Sequence, residues 1–569
     1  MAFVSLINIT KKLQHIRLKR LPVKVLVFFL FNLFFFVSTA QTTRLVTNTA
    51  DSGPGSLRDA VASAVAGDII RFSEASFTGG GVQTITITTG YIIFAQDALV
   101  FKGFYNAAGD TVKVSGNNAS GLLYCTAANN LLVDSMVLTN AIGGSGAAIH
   151  TETQNLTINN SIISNSKCNY TGGGVNAYNV NVHNSIFNNN SAPTGGSGAI
   201  QAYQSVVITN SVFFNNSASN YAGAVMCSNI SSITNSRFTN NSSGSGGAVW
   251  APYNNTIVNN CTFIGNYSGS DGGAISSSAN VSVTNSTFTG NTAANRGGSI
   301  FAFNLWSTSG NITANNSTFN GNKANIGGAL YACVNALVTN CTFFGNIAAV
   351  GGGIDARLTD AINSTITGNT ATSPTGTAGG GIEGVSIKAT SSIIALNIGG
   401  DVIDGTGRSA LIASGGYNIF TANPSGVVST DQRGIDSAQL NLGSFQNNGG
   451  TTFTILPGAG SVALNRGNPN DGSNDQRGFS IPSGTTRDVG AVSVSAIEYC
   501  IWIGGVSSAW ENPANWSCGH IPTAFTAVTV YSTGLHYPII NSWAVCKSIR
   551  LMTGAQCTVN TGGLNVMGK

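Results

Sequence analysis

Three side chains suited to acid–base chemistry stand at matched places in two successive segments of this chain. Asp355 and Arg357 follow the glycines of one segment in GGGIDAR, and Glu383 follows those of the next in GGGIE. If the segments stack, the carboxyls of Asp355 and Glu383 come within the roughly 5 Å of a retaining glycosidase pair, with Arg357 nearby. The 28-residue step from Ile354 to Ile382, which contains Pro374 and Gly376, adds a loop able to wall a cleft beside them. The position right after the aliphatic residue of each glycine turn also holds His150, Asn176, Gln201, Met226, Trp250, Ser276, Phe301 and Tyr331. Two residues further on come Tyr178, Tyr203, Pro252, Phe303 and Arg357. These positions are expected to face outward as an aromatic stripe ending in charged groups. Aromatic faces stack on sugar rings and exposed apolar patches mark binding surfaces, so Tyr178, Tyr203, Trp250, Phe301, Phe303 and Tyr331 are candidate ligand contacts. The competing expectation is that loops or the C-terminal tail cover these rings.

Other reactive constellations are sparse. Binding calcium, abstracting a proton or protonating a glycosidic oxygen needs clustered Asp, Arg, Lys or His on one strand face. The repeats contain no Gly-His-Gly and no Asp-Asp pair, and His150 and His183 fall in different parts of their segments. Asp471 and Asp475 in NPNDGSND are calcium candidates, although their spacing lacks a full ligand loop, and no other cofactor is implied. Asp475 with Arg477, and Arg487 with Asp488, are expected as an ion-paired cap on the last coils. Cys261 and Cys341 occupy a recurring small-residue slot, three repeats and so roughly 14 Å apart, and are expected to be buried free thiols.

The elements that position these residues come from a repeat. NSIISNS at 160, NSIFNNN at 184, NSVFFNN at 210, NSRFTNN at 235, NCTFIGN at 260, NSTFTGN at 285, NSTFNGN at 316, NCTFFGN at 340 and NSTITGN at 363 recur about every 25 residues. Glycine turns such as GGAV at 246, GGAI at 272 and GGSI at 297 alternate with them. Short runs such as Val281-Ser282-Val283-Thr284 have strand period and no helical stripe. A unit this short has no room for a crossover helix, so consecutive units pair as the stacked parallel strands of a right-handed β-helix. Residues one period apart then sit about 4.8 Å from one another. Phe187, Phe213, Phe238, Phe263, Phe288, Phe319 and Phe343 are expected as an internal ring column, and Asn160 through Asn363 as a side-chain amide ladder at a bend.

The ends read differently. Lys11 to Lys24 are rich in basic residues, Val25 to Val37 are apolar, and Ser38-Thr39-Ala40 are small: an export leader over 1–40, too short in its apolar core to span a bilayer. Ser56 to Ala64 form the best helix candidate, with Ser56 as cap and Asp59 closing the box, placed to plug the open end of the stack. Only 8% of residues are charged against 71 glycines, and the net charge of +4 includes the leader. No basic patch with interleaved aromatics appears, which argues against nucleic acid.

The GGAI and FxxN alternation over about 140–385 resembles the repeats of the polymorphic outer-membrane protein family, whose members are surface-exposed β-helical passengers, often adhesins. SGPGSLRDAV at 52, LGSFQNNGGTTFTILPGAGSVALNRG at 442 and NDQRGFSIPSGTTRDVGAV at 474 resemble exported bacterial β-helical proteins with a choice-of-anchor segment. IWIGGVSSAWENPANWSCGHIP resembles a small module of secreted proteins from gliding-type bacteria, read here as a separate β module with Cys500 paired to Cys518. A four-Cys zinc site is the alternative, without CxxC spacing. The expected organisation is a leader (1–40), an N-terminal cap with irregular coils (41–140), regular coils (141–400), last coils with a closing segment (401–497), and the small module (498–569). The resemblance implies a pectin-lyase-like parallel β-helix, secreted or on the outer membrane; the chain is expected to be a monomer presenting a long face to a glycan or a host or neighbour-cell protein. A polysaccharide lyase or glycoside hydrolase on the same fold is the alternative, since that fold also hosts such enzymes.

Overall fold

Each repeat becomes one coil because its short strands, which fall in three sheets, are separated by corners that its sequence can turn. The computed structural model describes residues 41–568 apart from 128–129, 152–154, 304–309, 374–377 and 404–411. The leader over 1–40 and the loop with Pro374 and Gly376 lie outside the described residues. In one representative coil, Ile275–Ser277 and Val281–Thr284 lie in a first sheet, Thr287–Thr289 in a second and Thr292–Ala293 in a third. Each strand pairs in parallel with its counterparts one coil away: Ile275 with Ile300, Phe263 with Phe288, and Ser268 with Ala293. The parallel β-helix expected from the repeat is therefore the fold.

The corners explain the asparagines and glycines. Asn285 turns from the first sheet to the second with φ 50°, and Gly290 turns from the second to the third with φ 62°. Both are left-handed conformations, which Gly adopts freely and Asn tolerates best among the other residues. At the return to the first sheet, Gly272 has φ 68°. The next residue, Gly273, is glycine for another reason: a Cβ there would lie 2.0 Å from the carbonyl oxygen of Gly298 in the following coil.

The interior holds the ring column. Phe187, Phe213, Phe238, Phe263, Phe288, Phe319 and Phe343 are all fully buried. Neighbouring centroids lie 4.6 to 5.2 Å apart with planes within 11°.

The asparagine ladder is also present, but displaced from the expected positions. Asn160 through Asn363 turn the first corner, and their amides meet only in places, as from Asn260 Nδ2 to Asn235 Oδ1 at 2.8 Å. The continuous ladder is built by the last Asn of each motif: Asn190, Asn216, Asn241, Asn266, Asn291, Asn322, Asn346 and Asn369, all fully buried. Asn266, for example, donates from Nδ2 to Asn291 Oδ1 at 2.8 Å and to the Phe238 carbonyl at 3.1 Å. Its Oδ1 accepts from the backbone N–H and the Nδ2 of Asn241, both at 3.0 Å. The physical reason is exposure. The outer-corner amides of Asn160, Asn184, Asn210, Asn235 and Asn260 are exposed and can bond water, whereas those at the second bend are sealed inside and must bond their neighbours.

Beside the first corner runs a hydroxyl ladder in which the backbone N–H of Ser161, Ser185 and Ser211 each donates to the Ser Oγ of the next coil at 3.1 Å. Cys261 and Cys341 take that serine slot, where they are buried and unbridged as expected. Burial pushes their thiols up, to about 11 and about 12, so they are not nucleophiles at neutral pH.

At the N-terminal end, the helix Leu57–Ala62 forms where expected, with Ser56 Oγ accepting from the Asp59 N–H at 3.1 Å. Leu57, Ala60 and Val61 join the main core. Asp59 departs slightly from the expected box by accepting from Gly55 N–H at 2.9 Å.

The closing segment covers the last coils, where Leu440, Ala463 and Val489 pack on Ile393, Ala395 and Ile419, and it extends beyond them. It lies along the outer side of the second sheet. Phe445 stacks on Phe344 at 5.3 Å, Thr318 Oγ1 donates to the Phe453 carbonyl at 2.6 Å, Thr342 Oγ1 donates to Gln476 Oε1 at 2.6 Å, and Ala491 N–H donates to Thr365 Oγ1 at 3.0 Å. A row of threonines on that outer face supplies polar groups that the segment satisfies. Asp475 and Arg477 do pair, 2.7 Å apart and fully buried, with Arg477 lying 4.4 Å over Phe479. Asp488 instead accepts from the N–H groups of Asn465 and Val494, at 2.7 and 2.8 Å.

The stretch from Glu498 onward has its own core around Trp502, Trp510 and Trp516, and Cys500 is bonded to Cys518. Its strands are again parallel, with Glu498–Ile501 beside Thr526–Val530 and that strand beside Ser548–Leu551.

Candidate functional site

Strand alternation builds the column beside the glycine turns. Ile300, Leu330, Ile354 and Ile382 point into the core with no exposure, so the residue after each points outward. The expected register holds throughout: His150, Asn176, Gln201, Met226, Trp250, Ser276, Phe301, Tyr331, Asp355 and Glu383 are successive parallel partners.

Outward direction does not mean exposure, and the column divides into zones. Tyr178 and Tyr203 are open to solvent, 44% and 46% exposed. Beneath them Asn176 is buried, donating from Nδ2 to Thr171 Oγ1 at 2.6 Å and to the Tyr203 hydroxyl at 3.2 Å. Trp250 is half-buried because Tyr221 stacks on it at 4.3 Å, with planes 12° apart. Phe301 is only 6% exposed. It stacks on Tyr331 at 5.4 Å and on Phe303 at 5.8 Å, and the Arg296 guanidinium lies over all three rings at 4.6, 5.3 and 5.2 Å. Arg296 is held by two bonds to Asp271, each 3.0 Å. A guanidinium fixed by a bidentate carboxylate and spread over three rings is a stable roof, worth about 1–2 kcal/mol for the cation–π part. The expectation that Phe301 belongs to an exposed stripe is thus corrected: Arg296 covers it.

Tyr221, Asp271 and Arg296, which do this covering, are not among the residues singled out from the sequence. A signal was available, since Asp271 and Arg296 each directly precede a glycine pair, one coil apart.

At the charged end, Asp355 is half-buried next to Tyr331, and burial pushes its carboxyl up to about 7. Burial likewise raises Tyr331, with the Arg296 hydrogen bond opposing it. Glu383 is 6% exposed, and its Oε2 accepts from the Gly379 N–H at 2.7 Å, so one oxygen braces its own glycine turn. Arg357 is exposed. Asp355 and Glu383 are direct register partners, but they differ in environment, with Glu383 tied into the turn and Asp355 desolvated.

This desolvation has a stability consequence. The unfolded chain releases the Asp355 proton near 3.8, whereas the folded one holds it to about 7, so folding stability falls as pH rises between those values. Asp355→Asn removes that loss. The variant is expected to match the parent near pH 4 and to exceed it by about 2 kcal/mol near pH 8, after discounting for partial exposure, as read by urea denaturation at both values.

Asp475, paired in expectation with Asp471 for calcium, is fully buried. Its Oδ1 accepts from the Arg477 N–H at 2.9 Å, and its Oδ2 accepts from Arg477 Nε at 3.0 Å and Ser493 N–H at 3.1 Å. With those oxygens engaged, the two acids do not assemble a calcium loop. In the C-terminal stretch, Glu498, Cys518 and His520 bring donor atoms within 4.8 Å of one another, but the Cys518 sulfur is bonded to Cys500 and so is no thiolate ligand. His520 Nε2 meets Glu498 Oε1 at 2.7 Å, which raises the imidazole pKa.

The Chlamydia polymorphic membrane protein repeat matches this chain over residues 235–252, 260–278 and 285–302, three consecutive coils. No curated protein matches the chain. Among solved structures, a mutant form of the PL6-family alginate lyase AlyGC is similar at 13% identity, covering 92% of this chain and 71% of that one, with a TM-score of 0.37. Among the described residues no helix is long and apolar enough to cross a membrane.

Proposed function

We propose that this protein is exported to the cell surface and works by binding, presenting the outward face of its first sheet to a glycan or to a protein on a neighbouring or host cell. The observation that carries this reading is the run of solvent-facing rings along consecutive coils: Tyr178 and Tyr203, followed by Tyr221 stacked on Trp250 and by Tyr253, which is 73% exposed. Rings held on a rigid parallel stack lose little entropy on binding, and tyrosine combines an apolar face with a hydroxyl. The polymorphic membrane protein repeat in three coils supports surface display.

A glycan array probed with the purified chain from Gln41 onward tests it. Binding without release of oligosaccharide is expected. Tyr178→Ala with Tyr203→Ala is expected to weaken that binding by about tenfold or more, since two stacked rings contribute roughly 1–3 kcal/mol. An array signal indifferent to both changes would remove this face from consideration.

A second reading, a polysaccharide lyase or hydrolase, has one observation in its favour. Asp355, held near neutrality, has the proton affinity suited to a general base or acid at physiological pH, and it adjoins Tyr331 and Glu383. Oligosaccharide release from a polymer by the parent chain but not by Asp355→Asn would favour it.

A further inference from the structure

The outward column does not begin at His150. It continues toward the N-terminus through Tyr124 and Ile93, the parallel partners that precede His150. There the side chains open into a cleft of about 250 Å3 lined by Tyr91, Tyr124, Gly144, Ser145, His150 and Tyr170. Tyr124 meets His150 edge to face at 4.6 Å and Tyr91 at 5.9 Å, so three of the lining rings are in mutual contact. Tyr170, 68% exposed, also lines the cleft.

The backbone is adapted to this arrangement. A Cβ on Gly121 would lie 2.1 Å from the Tyr91 ring, and one on Gly143 would lie 1.8 Å from the Tyr91 hydroxyl, so Tyr91 reaches its place only because both residues are glycine. Gly144 has no such contact. Its Cβ would meet Tyr170 at 3.7 Å, an ordinary distance, and its side of the cleft stays open because the residue carries no side chain.

We propose that this cleft is a subsite for one neutral pyranose ring. The proposal rests on the carbohydrate-binding reading of the first-sheet face and names where one sugar unit of such a ligand sits. Three properties select this occupant. The volume is below the roughly 300–1,000 Å3 of sites for drug-sized ligands, which limits it to about one ring. Phenol and imidazole rings offer faces for the C–H side of a sugar, while the exposed Tyr170 hydroxyl and the O–H of Ser145, whose Oγ accepts from Thr171 Oγ1 at 3.2 Å, offer hydrogen-bonding partners for its hydroxyls. Among the described residues no Asp, Glu, Lys or Arg lines the cleft, so these supply neither a counter-charge for a uronate or other acidic sugar nor one for an amino sugar.

The test uses the chain from Gln41 onward and, as probes, the methyl α- and β-glycosides of glucose, galactose and mannose, observed by saturation-transfer NMR. At least one glycoside is expected to receive saturation. Gly144→Leu, which the backbone accepts and which fills the cleft, is expected to weaken that glycoside by about tenfold or more, and Tyr170→Ala, at an exposed ring, by about threefold to tenfold. Unchanged circular dichroism of both variants shows that the coils remain intact. Absence of saturation from every glycoside, or binding unaffected by Gly144→Leu, overturns the subsite. Polymer binding on the array that survives Gly144→Leu but not the Tyr178 and Tyr203 changes would leave the general binding reading standing while this subsite falls. Monosaccharide binding lost in Gly144→Leu without any polymer binding would support the subsite and sink the wider face.

Discussion

Asn266→Ala is expected to lower the unfolding free energy by about 4 kcal/mol or more, whereas Asn260→Gly, earlier in the same repeat, is expected to change it by less than about 1 kcal/mol. The two asparagines share a motif and differ in what surrounds them. Asn266 is fully buried, and its amide serves four partners: the Asn241 N–H and Nδ2, the Phe238 carbonyl and Asn291 Oδ1. Alanine leaves all four short of a bond in a site sealed from water, and each orphaned buried group costs about 1–3 kcal/mol before relaxation. Asn260 is exposed, has φ 51°, and bonds one neighbour, Asn235, at 2.8 Å. Glycine adopts that backbone without strain, and water replaces the lost partner. Urea denaturation followed by circular dichroism separates the cases. Equal losses from the two substitutions would mean that the buried amide ladder does not hold the coils together.

That contrast also marks how far the sequence could be read. The period, the coil and the phenylalanine column were all legible, because stacking places equivalent residues directly over one another and so demands the same letter each time. The asparagines were harder, because one letter answers two physical demands. At the outer corners Asn is used for its tolerance of positive φ, which is why the second corner changes from Asn240 to Gly265 and Gly290 without consequence. At the last motif position it is used for its amide, and glycine never substitutes from Asn190 to Asn369. Comparing which positions admit glycine separates the second corner from the buried ladder, but not the first corner, where Asn160 through Asn363 are never replaced by glycine.

The candidate site was legible in register and not in coverage. Asp355 and Glu383 fall opposite one another, as the period requires. Whether an outward residue meets solvent depends instead on the loop that turns back over it. Arg296 reaches forward across Phe301 and Tyr331 because Asp271, in the equivalent place one coil earlier, anchors its guanidinium at 3.0 Å. Such a path is set by individual loop residues, and a repeat average removes them. The closing segment escaped for a related reason: its partners Thr318, Thr342 and Thr365 look like ordinary outward strand residues until a second stretch of chain lies on them.

Phe263→Ala is expected to cost about 3–5 kcal/mol, and Phe263→Ile less than half as much. Phe263 is fully buried and stacks at 4.8 Å on both Phe238 and Phe288, with planes within 5°. The three parallel sheets fix the separation of coils, so neighbouring rings cannot close over the space that alanine leaves, and the cavity term adds to the lost transfer energy. Isoleucine is tolerated because the column already ends in aliphatic residues: Ile163 is the register partner of Phe187, and Ile366 that of Phe343. Stability in a stacked chain is close to a sum of coil and nearest-neighbour terms, so the alanine lesion weakens two interfaces at once. Its denaturation curve is therefore expected to split into two steps, as the coils on either side of Phe263 unfold separately, while the isoleucine variant keeps a single transition. A single shifted transition for Phe263→Ala would show instead that cooperativity spreads along the stack beyond the adjacent coils.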